Sequence, residues 1–291
     1  MTAEARRLNQ IYLDEMYNGS TDDTLGRIRD FWWSDFITSY KTEGPAIALD
    51  QADVYMRAKE TEFRAVAEQY AAERTDTGSG QYFALVNNFI KSNIGKMFER
   101  FAGLSLAYCL LDIDASYSVL PGRKEMYNLI PGKSRDSFRA NFNFGDGTLY
   151  TYIDADVIAF SPTDPGAEIF MMSMKSTLKD RFHNVPFWNL LRRAAVSDDF
   201  PEIVAVDRDT LQRLRYVAIC SDFALEQPDF GTEAGARNLL QIDASLLDGA
   251  YVTSSRARGL PADCTNHLGE IRQHAFYRYS CLFQHLAGSG R

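Results

Sequence analysis

The sequence predicts a mixed α/β (α+β) domain with a helical N-terminal portion. Helix-type apolar spacing fills the first 75 residues, whereas from about residue 113 Gly, Pro, Asn and Asp become frequent and short β-type runs appear. No linker-like stretch separates the two textures, so we expect a single domain. Its expected parts are a helical portion over 1–80, a core over 81–225 and a C-terminal extension over 226–291.

Three helices are predicted before the first β-type run. Asp22 or Asp23 is a suitable cap for a helix through 24–40, and a second helix is expected over 50–74, where the loop TDTGSG ends it. A third, over 81–111, carries its apolar residues on one stripe, at positions 94, 97, 98, 101, 104, 108 and 111.

An antiparallel hairpin is predicted next. Two β-type runs, 149–160 and 167–175, flank the segment SPTDPG, which has the composition of a turn. The polar stretch 131–147 before them is expected to be a loop. After the hairpin we expect, in order, a helix across 178–196, a strand at 201–206, a further helix, a strand at 215–224 and a helical tail from about residue 265.

Composition indicates a soluble globular protein, with 45% hydrophobic and 24% charged residues. No stretch of 18 uncharged apolar residues occurs and the N-terminus carries no apolar signal core, so we expect a cytoplasmic protein without a membrane partner. The four cysteines, at positions 109, 220, 264 and 281, show no paired spacing. Free thiols in a reducing compartment and no structural zinc are therefore expected.

The net charge of −8 argues mildly against a nucleic-acid partner, because phosphate binding needs Lys and Arg. Whole-chain charge does not describe local patches, however, and a carboxylate-rich metal site can lie beside basic ones. The chain contains no GxGxxG, P-loop, HExxH or GxSxG motif, so no nucleotide cofactor is expected.

The hairpin brings carboxylates and an ammonium group together. Because side chains alternate faces on a strand, Asp154 and Asp156 share one face, as do Ser173 and Lys175. A turn centred near residue 164 places Asp156 opposite Ser173 and Asp154 opposite Lys175. Such a carboxylate pair suits Mg²⁺, and the lysine suits orienting or deprotonating an attacking water. A purely structural Asp–Lys ion pair is the alternative.

Glu99 lies among small residues on the long predicted helix. Gly95, Ala102 and Gly103 are its helical neighbours and let another backbone approach closely. We therefore expect Glu99 to be partly covered, and a covered carboxylate needs a partner. A metal ion is one such partner, and a neighbouring basic residue of the same helix is the other.

The chain resembles the PD-(D/E)XK nuclease superfamily over roughly residues 91–181. The resemblance rests on Glu99 in a helix, an aspartate in the hairpin and Lys175 at the end of the hairpin. The resemblance implies a restriction-endonuclease-like core, in which helices flank a central mixed β-sheet, and Mg²⁺-dependent hydrolysis of DNA phosphodiesters. Asp154 would be the main metal ligand, with Asp156, which is followed by VIAF, as the alternative.

Two positions depart from the superfamily pattern. Ile153 stands where a proline usually precedes the aspartate, and Ser173 stands where the second motif has Asp or Glu. Some restriction enzymes of this superfamily take that carboxylate from a helix instead. No Asp or Glu occurs in 181–196, so Glu99 is the expected replacement, with Glu168 as a weaker candidate.

The segment 175-KSTLKDR-181 resembles the corresponding segment of the CC:GG-reading restriction endonucleases, the EcoRII-like and NgoMIV-like group. In that reading, Lys179, Asp180 and Arg181 contact bases. Arginine donates twice to guanine and aspartate accepts from cytosine, so Asp180 and Arg181 suit G:C pairs. A capped helix start with a solvated arginine is the alternative interpretation of the same residues.

Phosphate contacts are expected from basic residues elsewhere. Lys133, Arg135 and Arg139 are the first candidates, and each is equally compatible with a solubilising surface charge. Further candidates are Lys91, Lys96 and Arg192 or Arg193.

The resemblance implies a type II restriction endonuclease that cuts double-stranded DNA at a palindromic site containing CC/GG. A palindrome mirrors two-fold symmetry, so a homodimer is expected. Two alternatives remain open at this point. One is a structure-directed repair or recombination nuclease of the same superfamily, and the other is a non-catalytic DNA-binding module with a decayed nuclease core.

Overall fold

The computed structural model describes residues 3–18, 23–145, 147–176, 182–221, 230, 237–269 and 272–288. The predicted base-reading residues Lys179, Asp180 and Arg181 lie outside the described residues.

Among the described residues, six helices precede the first strand, where the apolar spacing predicts three. They are α1 Ala3–Asn18, α2 Asp23–Glu43, α3 Pro45–Leu49, α4 Ala52–Ala58, α5 Glu60–Ala72 and α6 Gly80–Asp112. The helices predicted over 24–40 and 81–111 are confirmed as α2 and α6. Ser79 caps α6 by accepting a hydrogen bond from the backbone N–H of Tyr82, at 3.1 Å. The helix predicted over 50–74 is divided into α4 and α5 at Lys59.

The rest of the chain alternates strands and helices. The strands are β1 Ser118–Pro121, β2 Arg139–Phe144, β3 Gly147–Tyr152, β4 Val157–Phe160, β5 Ile169–Lys175, β6 Ile203–Ala205, β7 Leu214–Cys220, β8 Gly249–Val252 and β9 Tyr277–Arg278. The helices are α7 Val185–Val196, α8 Arg208–Arg213, α9 Arg237–Ser245 and α10 Tyr279–Leu286.

A mixed six-stranded sheet in the order β1-β4-β5-β7-β8-β9 forms the centre of the molecule. The β1–β4 and β4–β5 pairs are antiparallel, whereas β5, β7, β8 and β9 run parallel. Strands β3, β2 and β6 form a smaller antiparallel sheet. The predicted α+β class, with a central mixed sheet flanked by helices, is confirmed.

Helices cover both faces of β5, which explains its continuous apolar run. Phe170, Met172 and Met174 pack into the core formed with α6 and the other N-terminal helices. Ile169 and Met171 point to the opposite face, into the core formed with α7 and α9. A strand buried on both faces has no polar alternation, so the sequence reads as apolar throughout.

Several predicted elements differ from the structure. The strand predicted over 149–160 is two strands, β3 and β4, which belong to different sheets and are joined by residues 153–156. Residues 139–144, expected to be part of a loop, form β2, because their pairing with β3 buries Ala140. Among the described residues of the tail from 265, α10 alone is helical, and 265–269 and 272–276 are irregular.

Two cysteines correct the expectation of free thiols. Cys264 and Cys281 form a disulfide with Cα atoms 5.3 Å apart, whereas Cys109 and Cys220 are free and buried. The two bonded residues are 17 positions apart and meet because α10 packs back on the loop that precedes it. The spacing of the cysteines in the sequence did not indicate this pairing. No helix of the described residues has the length and apolarity needed to cross a membrane.

Two buried aspartates join the N-terminal helices to the C-terminal part of the chain. Asp50 accepts hydrogen bonds from the backbone N–H and the hydroxyl of Ser280, at 2.9 and 2.6 Å. Asp53 accepts from the Ser254 hydroxyl at 3.0 Å and the Ser255 N–H at 3.1 Å. The helical portion and the sheet are therefore tied by polar as well as apolar contacts.

A fully buried carboxylate, Asp248, joins α7 to β7 through hydrogen bonds. It accepts hydrogen bonds from Arg192 at 3.1 and 3.3 Å, from Arg193 at 3.2 Å and from the backbone N–H of Tyr216 at 2.8 Å. Both arginines were candidates for phosphate contact. Arg192 is only 4% exposed, so it stabilises the fold and is inaccessible to a phosphate.

We expect Asp248→Asn to destabilise the protein by about 3 kcal/mol, because removing one partner leaves two guanidinium groups with an uncompensated buried charge. Urea denaturation of the purified variant measures this loss. Asp198→Asn is the matched control, since Asp198 pairs with Arg208 at the exposed surface and is 88% exposed. The control should unfold at the wild-type urea concentration, and equal behaviour of both variants would contradict the assignment.

Candidate active site

The β4–β5 hairpin has the register that the sequence predicts. Val157 pairs with Met172, which places Asp156 opposite Ser173. The backbone N–H of Asp156 donates to the Met172 carbonyl at 3.0 Å, so the carboxylate is held at the open end of the ladder. On the other side the Gly122 N–H donates to the Asp156 carbonyl at 2.9 Å.

Gly122 is required for this arrangement. A Cβ atom at position 122 would lie 1.8 Å from the carbonyl oxygen of Ala155, closer than any two such atoms approach. The absence of a side chain lets the end of β1 lie directly against residues 153–156 and fix the path of the chain between the two sheets.

The Asp156 carboxylate is the hub of the site. Its Oδ2 atom accepts hydrogen bonds from the Ser173 hydroxyl at 3.3 Å, the Met174 N–H at 2.6 Å and the Lys175 ammonium at 3.2 Å. Lys175 also donates to the Met174 carbonyl at 3.1 Å. An aspartate, a serine and a lysine predicted as site residues are thus in direct contact.

Asp154 does not lie opposite Lys175, contrary to the expected pairing. Residues 153–156 lie outside the β ladder where the chain crosses between the sheets, and the hydrogen bond from the Asp156 N–H to the Met172 carbonyl keeps Asp156 beside β5. Asp154 is exposed, and its backbone carbonyl accepts a hydrogen bond from the Tyr216 hydroxyl at 2.7 Å. Partial burial of its carboxyl group raises the pKa of Asp154.

Glu99 approaches this pair from α6. Burial, and after it the neighbouring Asp156 carboxylate, raise the pKa of Glu99 to about 7, while Lys175 acts in the opposite direction. The predicted close approach to small residues is confirmed, because a Cβ at Gly103 would lie 3.2 Å from Val157 of β4. The fold therefore brings Glu99 of α6 within electrostatic range of Asp156 and Lys175, although the helix and the hairpin are far apart in sequence.

Glu168, the weaker candidate for the second carboxylate, lies elsewhere. It pairs with Arg215 at 2.6 Å and with His285 at 3.5 Å. It directly precedes β5, whereas Lys175 ends that strand, so the two are roughly 20 Å apart at the usual rise per residue. No bulge brings Glu168 to the lysine.

Two cavities open beside the carboxylates. The smaller, of about 200 Å³, is lined by Asp156, Lys175, Asn184 and Tyr216 among others. The larger, of about 450 Å³, is lined by two arginines and by aromatic residues, namely Arg123, Arg135, Tyr127 and Tyr152. Both are lined by Asp154 and Trp188, so the two form one continuous depression.

The three predicted phosphate-binding residues have different surroundings. The Arg135 guanidinium lies 3.8 Å from the ring centre of Tyr152, and Arg139 lies 5.2 Å from that of Tyr150. Lys133 forms an ion pair with Asp207 at 3.3 Å and its side chain is only 12% exposed, so its charge is used within the fold. Arg123 also lines the larger cavity and was not predicted as a site residue. Its position shortly after the buried strand β1 is the only feature of the sequence that could have indicated it.

The donor set suits Mg²⁺ bound together with a substrate. Among the described residues, no group of three or more His, Cys, Asp or Glu side chains is arranged to bind a metal alone. Mg²⁺ commonly takes only one or two carboxylates and completes its shell with water and phosphate oxygens. Hydrogen bonds from described groups to the Asp156 carboxylate end on Oδ2, which leaves Oδ1 for a ligand. The mutual repulsion of Glu99 and Asp156 also favours a cation between them.

Comparison with known proteins gives matches among solved structures alone. No protein-family model and no curated protein matches the chain. One similar structure is the restriction endonuclease PspGI in complex with substrate DNA, with 11% identity and a TM-score of 0.46 over 90% of this chain and 91% of that one. Another is the pre-specific complex of the restriction endonuclease BsaWI with DNA, with 12% identity and a TM-score of 0.41 over 92% and 93%.

The raised pKa of Glu99 predicts a pH-dependent effect of Glu99→Gln. The folded protein keeps a proton on Glu99 up to about pH 7, whereas an unfolded glutamate loses it near pH 4.5. Wild-type stability therefore falls as pH rises through this window, and the glutamine variant lacks that loss. In buffer containing EDTA, the variant should gain about 1–3 kcal/mol relative to the wild type between pH 5 and pH 8, measured by urea denaturation.

Glu168→Gln provides a control of opposite sign. Burial acts against it, but the hydrogen bond with His285 and the charge of Arg215 lower the pKa of Glu168. Its charge therefore stabilises the fold above the unfolded pKa, and this variant should be less stable than the wild type at pH 7. A pH-independent difference between Glu99→Gln and wild type would show that Glu99 is solvated.

Proposed function

We propose that this protein is a Mg²⁺-dependent endonuclease that hydrolyses phosphodiesters of double-stranded DNA. One observation carries the proposal. Asp156 and Lys175 are in contact at the open end of a buried hairpin, and Glu99 of the separate helix α6 is near enough for the Asp156 charge to raise its pKa. Carboxylates and an ammonium group beside an open depression form the arrangement that metal-assisted phosphodiester hydrolysis needs.

Asp156 and Glu99 would hold the metal, with Asp154 at the edge of the same depression. Bound Mg²⁺ would supply charge neutralisation at the scissile phosphate. The Lys175 ammonium, fixed by Asp156 Oδ2 and the Met174 carbonyl, is positioned to orient the attacking water by hydrogen bonding. Trp188 and Tyr216 line the same depression and shield one side of it from bulk water.

Ser173 has a supporting role in this proposal. Its hydroxyl donates to Asp156 Oδ2, the oxygen that also accepts from Lys175. A carboxylate at position 173 would instead face Asp156 and repel it. With serine there, the second negative charge comes from Glu99 on α6, and the hairpin keeps one carboxylate and one ammonium group.

Double-stranded DNA is the substrate that the neighbouring surface suits. Arg123 and Arg135 line the larger cavity, which adjoins the carboxylates through Asp154. Arginine side chains along such a groove, of which Arg135 is held against the Tyr152 ring, are suited to contacting successive phosphates of a backbone. The basic residues thus lie on the same side as the hydrolytic groups despite the net charge of −8.

The finer proposal is a type II restriction endonuclease that acts as a homodimer on a palindromic site containing CC/GG. Its support is the segment 175-KSTLKDR-181, where Lys179, Asp180 and Arg181 follow the catalytic lysine within six residues. This spacing links base reading in the major groove to the cutting centre. Two copies related by a two-fold axis would cut the two strands of the palindrome.

A digest of unmethylated phage DNA with Mg²⁺ tests the activity, with the wild type compared to Lys175→Ala. We expect discrete fragments from the wild type and at least about a 1000-fold slower reaction from the variant, because the attacking water loses its orienting group. Lys41→Ala is the matched control, since Lys41 is an exposed lysine on α2 without a role in the proposed site, and it should cut as the wild type does.

The alternatives give different products. Nicking or smearing that disappears in the Lys175 variant would favour a structure-directed nuclease of the same superfamily. Absence of cleavage with any divalent metal would contradict the catalytic proposal and favour a non-catalytic DNA-binding module.

The two aspartates are separated by a second comparison. Because Asp156 is the aspartate that contacts Lys175, Asp156→Asn should abolish cleavage, whereas Asp154→Asn should retain part of it. Rates measured over a range of Mg²⁺ concentrations check this order. A larger loss in Asp154→Asn than in Asp156→Asn would make Asp154 the main metal ligand.

A further inference from the structure

A buried tyrosine of α1 reaches the back of the candidate site. Tyr12 is fully buried, and its hydroxyl has no hydrogen-bond partner among the described residues. The hydroxyl lies in the space left by Gly103 of α6, where a Cβ atom would stand 1.9 Å from the oxygen and 3.2 Å from Val157 of β4. The hydroxyl is therefore wedged between the helix and the strand that carry the two carboxylates.

An unpaired buried hydroxyl costs about 1–3 kcal/mol relative to a paired one. Packing alone does not account for it, because a phenylalanine would fill the same space without that cost. Tyr279 shows how a paired hydroxyl is placed nearby. It is also fully buried, and its hydroxyl donates to the carbonyl oxygen of Ala102 on α6 at 3.0 Å. The Tyr12 hydroxyl therefore needs a hydrogen-bond partner for which the described backbone and side-chain groups offer no direct contact.

The carboxylates of the site are candidates for that partner. Gly103 lies one helical turn after Glu99, on the same face of α6, and Val157 directly follows Asp156. Among the charged groups that act on the Tyr12 hydroxyl, Glu99 has the largest influence. Burial and this carboxylate raise the pKa of Tyr12, so the hydroxyl stays protonated and can donate a hydrogen bond.

We propose that Tyr12 is a positioning residue of the metal site: its hydroxyl donates a hydrogen bond towards the Glu99 carboxylate, with one water molecule able to complete the bridge, and so holds Glu99 for Mg²⁺. This inference rests on the metal site of the proposed function and adds α1, which the nuclease motif does not include, to that site. Gly103 is the residue that makes room for the donor.

The test compares Tyr12→Phe with Tyr279→Phe. Binding of Mn²⁺ in the presence of a short DNA duplex, followed by electron paramagnetic resonance of the free ion and compared with the duplex alone, gives the metal affinity. Urea denaturation without metal gives the stability. Tyr12→Phe should bind Mn²⁺ about 10-fold more weakly, as expected when a group that orients a ligand is lost, and should be at least as stable as the wild type. Tyr279→Phe should be less stable and bind Mn²⁺ as the wild type does.

Glu99→Gln and Asp156→Asn show which conclusion fails if the result differs. Suppose these two variants lose Mn²⁺ affinity while Tyr12→Phe keeps it: the inference about Tyr12 is then overturned and the metal site stands. A loss of stability in Tyr12→Phe with unchanged affinity also overturns it, by making the hydroxyl structural. If the wild type binds no Mn²⁺ that depends on Glu99 or Asp156, both the inference and the proposed metal site fail.

Discussion

The site depends on the register of β4 against β5. Pairing Val157 with Met172 buries both residues in the core and leaves Asp156 beside the last residues of β5. A shift of one residue would turn Asp156 into the core and expose Val157, so burial itself fixes the register. Gly122 then holds the chain at the point where it leaves the ladder. The position of the carboxylate thus follows from apolar packing and one close backbone contact.

The charged groups of the site come from two elements, a strand buried on both faces and a helix that packs against it. Lys175 ends a strand that is buried on both faces, so its backbone is rigid and only its side chain reaches solvent. Glu99 is on α6, which packs against the same strand, and the Glu99 side chain is half-buried. Ser173 lets the hairpin carry a single carboxylate beside the lysine, and the helix supplies the other. This division places two negative charges close together without putting both on one hairpin.

The sequence was sufficient where one local pattern decides the structure. The turn after β4 and the alternation around Asp156 were enough to predict the hairpin and its register. The small residues beside Glu99 on α6 were enough to predict that its side chain is partly buried. It was insufficient where distant segments decide. The crossing between two sheets at 153–156 displaced Asp154 from Lys175, and the buried carboxylate of Asp248 removed Arg192 from the surface. Neither partner is a sequence neighbour, and no local pattern encodes such contacts.

The bonds that join Asp50 to Ser280 and Asp53 to Ser254 span more than 200 positions of the chain. Loop closure over such lengths comes late in folding, because it has little local structure to assist it. During synthesis the N-terminal helices leave the ribosome long before their polar partners. Their apolar faces must wait for β8 and α10, and this interval is the period in which the nascent chain is most exposed to chaperones and to aggregation.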